Sequence, residues 1–157
     1  MASPTKIDLQ AVWDILEQVS DPEIPVLTVT DLGIVRDVRQ TADGLVEVVI
    51  TPTYSGCPAM NTIEVNIRAV LQEHGYDPVK VTTVLSPAWT TDWMTEEGRQ
   101  KLEAYGIAPP QPAGGPKACP RCQSDNLERL SQFGSTPCKA QWRCRDCLEP
   151  FDHVKEI

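Results

Sequence analysis

Thr51-Pro52-Thr53-Tyr54-Ser55-Gly56-Cys57-Pro58 sits between a β-branched run, Leu45-Val46-Glu47-Val48-Val49-Ile50, and a helical pattern that runs to His74. The run reads as a strand, the middle as a glycine-containing loop, and Pro58 as the first helical residue, where a missing N–H costs nothing. Cys57 then falls at or beside the helix N-cap. A thiol there faces unpaired backbone N–H groups and the positive end of the helix dipole. Both favour the thiolate, the form that attacks electrophiles and binds soft metals. A free cysteine also serves as a small buried hydrophobe, and position alone leaves both readings open.

Working outward, Thr41-Ala42-Asp43-Gly44 reads as a hairpin loop, because Asp-Gly supplies the positive φ such loops need. It joins the Leu45–Ile50 strand to an earlier one, Ile34-Val35-Arg36-Asp37-Val38-Arg39. Downstream, Ala59, Ile63, Ile67, Val70 and Leu71 line one side of the helix, and Gly75 is a good C-terminal stop. His74, with no metal-ligand spacing around it, reads as a surface residue of the last turn. A third strand, Val79–Leu85, follows, and the intervening helix predicts a right-handed crossover with its two strands parallel.

Before this unit, Ile7, Ala11, Ile15 and Val19 form an apolar stripe that predicts a helix from Thr5 to Val19, stopped by Ser20-Asp21-Pro22. Asp21-Pro22-Glu23-Ile24-Pro25 is a rigid turn bearing two carboxylates. Leu27–Thr30 reads as short and extended, and Asp31-Leu32-Gly33 as a second turn. After the third strand, Ser86–Met94 is a loop whose Trp89 and Trp93 either close the core or form a binding surface. Thr95 is the candidate N-cap of a last helix ending near Tyr105. The fold class is therefore α/β (α+β): a small three-stranded sheet with three helices over residues 1–106.

Ile107–Pro116 holds four prolines and a glycine pair, the composition of a linker. Beyond it, Cys119-Pro120-Arg121-Cys122 and Cys144-Arg145-Asp146-Cys147 are two Cys-x-x-Cys pairs separated by 21 residues. Each pair bends into a knuckle that aims two thiolates at one ion, and the separation leaves room for a hairpin. Leu127–Phe133 and Ala140–Arg143 supply its short β-strands, with Phe133, Trp142 and Phe151 as the small core. Residues 117–157 thus read as a four-cysteine zinc ribbon holding structural Zn2+; rubredoxin-like iron uses the same four-sulfur geometry. His153 is a possible substitute ligand the set does not need. Cys138 falls in the hairpin loop, either incidental or able to meet metal or a partner.

The charge is uneven. Residues 117–157 carry seven Lys/Arg against six Asp/Glu, whereas the remainder has seven basic and sixteen acidic residues within a net of −8. An acidic body argues against nucleic acid as the main partner. No apolar run approaches the ~20 residues of a membrane span, and the N-terminus lacks the core of a signal peptide. A cytoplasmic protein is expected, in which paired cysteines hold metal more often than they form disulfides.

Asp21-Pro22-Glu23, Pro25, Asp31-Leu32-Gly33, Thr51 leading to Gly56-Cys57-Pro58, and Pro87-Ala88-Trp89 occur in one order over residues 7–105. In this the chain resembles the small α/β family of SufT-related iron–sulfur cluster assembly factors. Phe133-Gly134-Ser135-Thr136-Pro137-Cys138-Lys139-Ala140, with Cys144-x-x-Cys147-Leu148-Glu149-Pro150-Phe151-Asp152, extends the likeness to the PaaD family, accessory proteins of the phenylacetyl-CoA epoxidase system of aerobic phenylacetate degradation. The resemblance implies a non-catalytic factor that helps insert or carry iron–sulfur clusters. Its invariant cysteine falls on Cys57 and its acidic turn on Asp21 and Glu23. The implied client is the epoxidase's reductase subunit, which needs a two-iron cluster.

One thiolate cannot close the shell of a cluster that takes four ligands. The others would come from a second copy in a homodimer, a carboxylate, a small thiol or the client. Other readings compete. A Cys57 thiol enzyme lacks a base, since His74 lies about 25 Å along the same helix. A structural subunit of the epoxidase complex is the other alternative.

Overall fold

The computed structural model describes residues 6–53, 59–111, 115–134, 136 and 139–155. Cys57 and Cys138, and with them the expected N-cap thiol and the loop thiol, lie outside the described residues. The chain forms two compact units, residues 1–95 and 96–157.

The first unit contains α1 (Leu9–Leu16), β1 (Val35–Gln40), β2 (Val46–Ile50), α2 (Ala59–Glu73), β3 (Val79–Thr83) and a 3₁₀ turn at Thr91–Trp93. The sheet order is β1-β2-β3. β1 and β2 pair antiparallel, Val38 opposite Val48, across the expected hairpin, and Gly44 there has φ +84°. β2 and β3 run parallel, Val48 beside Val81. Thus the crossover anticipated from the strand–helix–strand pattern is present.

Both helices bury one stripe. Val12 and Leu16 of α1 and Ile63, Ile67 and Leu71 of α2 are fully buried with Val48 and Ile50 of the sheet, and each such side chain contributes roughly 1.5–3 kcal/mol. Arg68 ties α2 to the sheet, donating to the Val79 carbonyl at 2.6 Å while pairing with Glu64. On the central strand, Glu47 is gripped from both neighbours. It accepts from Arg39 of β1 at 2.6 Å and from the Thr82 hydroxyl of β3 at 2.7 Å.

Two expectations need correction. The first helix begins at Leu9, because the Asp8 carboxylate caps the N–H groups of Gln10 and Ala11. It ends at Leu16, with the chain tightening into i→i+3 bonds at Gln18 and Val19. Within Leu27–Thr30 only Thr28 makes a β-bridge, to Ser20. The rest is turn, since Asp31 accepts from the Thr28 N–H and donates its own N–H to the Thr28 hydroxyl.

The second unit contains α3 (Glu96–Tyr105), β4 (Leu127–Ser131), β5 (Lys139–Cys144) and β6 (Pro150–Val154), in an antiparallel sheet of order β4-β5-β6. β6 has no signature in the sequence: proline, aspartate and histidine break its apolar pattern, and it forms because β5 offers a partner. Pro150 is tolerated as its first residue. Phe133, expected in the core, is 63 % exposed, with the Lys155 ammonium over its ring. Phe151 and part of Trp142 do pack against Cys119, Cys144 and Ala108. Ala108, in the stretch read as linker, is bonded to β6 through Asp152 and Val154. Among the described residues no helix is long and apolar enough to cross a membrane.

Candidate functional site

The Cys57 loop leaves the sheet at Thr51. The Thr51 N–H donates to the Ile34 carbonyl and the Val84 N–H to the Ile50 carbonyl, both at 2.9 Å, so β2 exits between the start of β1 and the end of β3. The Ile34 N–H donates to Val29, and the Val29 N–H to Val19, two residues before Asp21. This chain of bonds brings the acidic turn to the same end of the sheet as Thr51.

There Asp21 is buried, and its carboxylate accepts from the N–H groups of Glu23 at 2.7 Å and Ile24 at 2.9 Å. It shapes the turn that carries Glu23, which is half-buried. Asp31 is buried in the next turn. Thr51 is 1 % exposed, yet its hydroxyl has no hydrogen-bond partner among the described residues. An orphaned buried hydroxyl carries a cost. Thr51 stands at the head of the sequence motif that contains Cys57, but nothing in the motif signals this burial. Trp89 closes this end: it is buried, and its indole N–H donates to the Leu32 carbonyl at 2.8 Å. Trp93 lies beneath the Arg36 guanidinium, 3.8 Å from its ring centre.

The second unit brings Cys119, Cys122, Cys144 and Cys147 together, with all four sulfurs within 4.8 Å of one another. Cys119 and Cys147 are 3.8 Å apart, and Cys122 and Cys144 are 3.5 Å apart. Four thiolates at the ~2.3 Å zinc–sulfur distance stand about 3.8 Å apart along a tetrahedral edge. The donor set therefore fits zinc in both number and spacing.

Two of the sulfurs also receive a backbone N–H. Cys119 accepts from Arg121 and Cys144 from Cys147, both at 3.4 Å. The Cys147 and Asp146 N–H groups bring the Cys144 thiol down to about 7. The Ser124 backbone lowers the Cys122 pKa, but the Cys144 sulfur and burial outweigh it and raise it. The Glu149 backbone likewise lowers that of Cys147, yet burial and the neighbouring sulfurs push that thiol up to about 12. Four thiolates this close repel one another, and a bound cation removes that conflict.

His153 is not one of the ligand group. It is 1 % exposed and edge-on to Trp142. Burial lowers its pKa to about 4, against the raising effect of the Pro109 carbonyl, and its Nε2 atom has no partner among the described residues.

Comparison with known proteins agrees with this division. Residues 9–85 match the family model described as iron-sulfur cluster assembly protein, and residues 111–155 match the PaaD zinc beta ribbon domain. The chain is 51 % identical over 154 residues to a protein of Escherichia coli described as a putative subunit of 1,2-phenylacetyl-CoA epoxidase, covering 93 % of this chain and 92 % of that protein. An Fe-S protein maturation auxiliary factor of Porphyromonas gingivalis is 40 % identical over 88 residues, 55 % of this chain and 83 % of that one. A crystal structure of a domain of unknown function, DUF59, from Bacillus anthracis aligns with a TM-score of 0.55 at 26 % identity, covering 59 % of this chain and 89 % of the other. With half its residues shared with the E. coli protein over nearly the whole length, and both domain models matched in order, the chain belongs to the PaaD family.

Proposed function

We propose that this protein is an accessory factor of the phenylacetyl-CoA epoxidase system that delivers iron or an iron–sulfur cluster to a protein client, the reductase subunit. The observation that carries this reading is the pairing of an iron–sulfur assembly domain with near full-length likeness to a putative epoxidase subunit. The cluster-handling domain lies within residues 1–106, and 117–157 form a zinc ribbon that gives the factor a rigid docking module, with the 107–116 stretch between them bonded to β6 through Ala108, all within the cytoplasm. Zinc held by Cys119, Cys122, Cys144 and Cys147 supplies folding energy and no chemistry.

Cys57 is the transient ligand of the cargo in this reading, and Asp21 and Glu23 are the carboxylates that assist it. Transfer is then a ligand exchange without net oxidation or reduction. The iron–sulfur bond to Cys57 breaks as one to a client cysteine forms, and the client's thiol proton ends on Cys57. The protein acts as a carrier rather than a catalyst, in keeping with relatives named as auxiliary factors.

The test is anaerobic reconstitution of wild type and Cys57→Ser, reading iron, sulfide and zinc per chain and the cluster content of co-expressed reductase. The variant is expected to keep its zinc and lose cluster delivery. Wild-type reductase cluster levels in the variant would overturn the reading. The E. coli relative's designation as an epoxidase subunit favours a second reading, a stoichiometric structural component. Stable co-purification with the catalytic subunits, together with full activity of Cys57→Ser, would select it.

A further inference from the structure

The two cysteine knuckles are joined by polar side chains as well as by their sulfurs. The Ser124 hydroxyl, two residues past Cys122, bonds the carboxylate of Asp146, which lies between Cys144 and Cys147. One side-chain bond thus joins the end of the first knuckle to the middle of the second. Asn126 reinforces it from the side: its amide donates to the other Asp146 oxygen at 3.3 Å, and its N–H donates to the Ser124 hydroxyl at 3.1 Å. Two backbone bonds complete the frame, Arg145 N–H to the Asn126 carbonyl at 2.9 Å and Cys119 N–H to the Ser124 carbonyl at 2.8 Å.

We propose that Ser124, Asp146 and Asn126 form a bridge between the knuckles that sets how long the ribbon keeps its metal ion. They are positioning residues. Losing a closed four-sulfur ion requires the knuckles to part, and the bridge holds them together while any one sulfur lets go. The ribbon ion is therefore retained, unlike a cargo that must be given up. The inference rests on the zinc reading of the four cysteines.

The experiment uses the full chain, zinc-loaded and challenged with excess 4-(2-pyridylazo)resorcinol at neutral pH, with zinc content and circular dichroism recorded first. Ser124→Ala and Asp146→Asn are expected to bind one zinc and release it about 10- to 100-fold faster than wild type, the range over which outer partners of metal ligands act. In Asp146→Asn one acceptor becomes an NH2 group that meets either the Ser124 hydroxyl or the Asn126 amide. Ser124→Thr, which keeps the hydroxyl, and Asp125→Asn, which removes an exposed neighbouring charge, are expected to release at the wild-type rate. Wild-type release in both Ser124→Ala and Asp146→Asn overturns the bridge and leaves the zinc site standing. A wild-type preparation without zinc overturns both. Zinc-bound variants that fail to fold also overturn the assignment, because the contacts would then be needed for folding rather than for retention.

Discussion

Replacing Gly33 with alanine separates two costs that usually arrive together. Gly33 sits at φ +74°, and a Cβ there would lie 2.6 Å from the Trp93 carbonyl oxygen and 2.8 Å from the Trp93 Cβ. The left-handed backbone costs an alanine about 1–2 kcal/mol. The clash adds about 1–3 kcal/mol, because the turn or the Trp93 backbone must move. Gly75 is the control. Its φ is +91°, but nothing lies within 4 Å of the added methyl, so Gly75→Ala is expected to cost only the backbone term, about 1–2 kcal/mol. The assay is thermal and urea unfolding followed by tryptophan fluorescence and by far-ultraviolet circular dichroism. In a unit of this size Gly33→Ala is expected to lower Tm by upwards of 8 °C, at ~4–8 °C per kcal/mol. It should also speed exchange of the Trp89 indole N–H, whose acceptor is the adjoining Leu32 carbonyl. Equal losses in the two variants would refute the close approach of Gly33 to Trp93.

Three further outcomes are expected. Glu47, held at about 2 by Thr82 and Arg39 against an ordinary value of 4.5, binds its proton later in the folded state than in the unfolded one. Its stabilisation is present above about pH 4.5 and lost as pH falls toward 2, so Glu47→Gln should flatten the acid limb of urea midpoint against pH; parallel curves would exclude this. His153 is shifted from 6.5 to about 4. The unfolded chain therefore takes up a proton first, and stability falls by up to about 3 kcal/mol between those two pH values. A histidine NMR titration with its midpoint near 6.5 would contradict it. Removing metal with a chelator should unfold residues 119–154 and leave the first unit's amide signals in place, because the core around Phe151 is small and ribbon metals supply ~10–16 kcal/mol. Unchanged ribbon signals in a metal-free sample would refute that.

Much of the fold was legible because its signals are local. Asp43-Gly44, the β-branched run before Thr51, the stripe ending at Leu71 and the stop at Gly75 each determine structure within a few residues. The cysteine spacing works the same way, since two knuckles and one ion leave little choice of partner. What escaped depends on distant contacts. β6 exists because β5 pairs with it, and Phe133 lies two residues beyond the end of β4 at Ser131, outside the ladder that would have aimed it inward. The burial of His153 follows from its pairing opposite Ala140 and its bridge to Ala108, neither visible in its neighbours. At the candidate site the sequence showed the two carboxylates of the Asp21–Pro25 turn. It did not indicate that Asp21 would cap the turn that presents Glu23, or that the Thr51 hydroxyl would be buried without a partner among the described residues.

The two halves of the chain call for opposite coordination chemistry. Four thiolates at tetrahedral spacing make a closed shell, and an ion leaves it only after several bonds have loosened together. Such a site suits permanence and is ill-suited to handing metal on. The proposed cargo site, one thiol and a pair of carboxylates, would have the reverse character: it would leave positions open for a client's ligands, and few bonds would have to break for release. A protein that keeps one metal and passes on another must hold them in shells of different completeness. Strengthening the second site toward four ligands would therefore be expected to improve cargo binding and impair delivery. A variant with an added cysteine that raised both together would show that completeness of the shell is not what governs release.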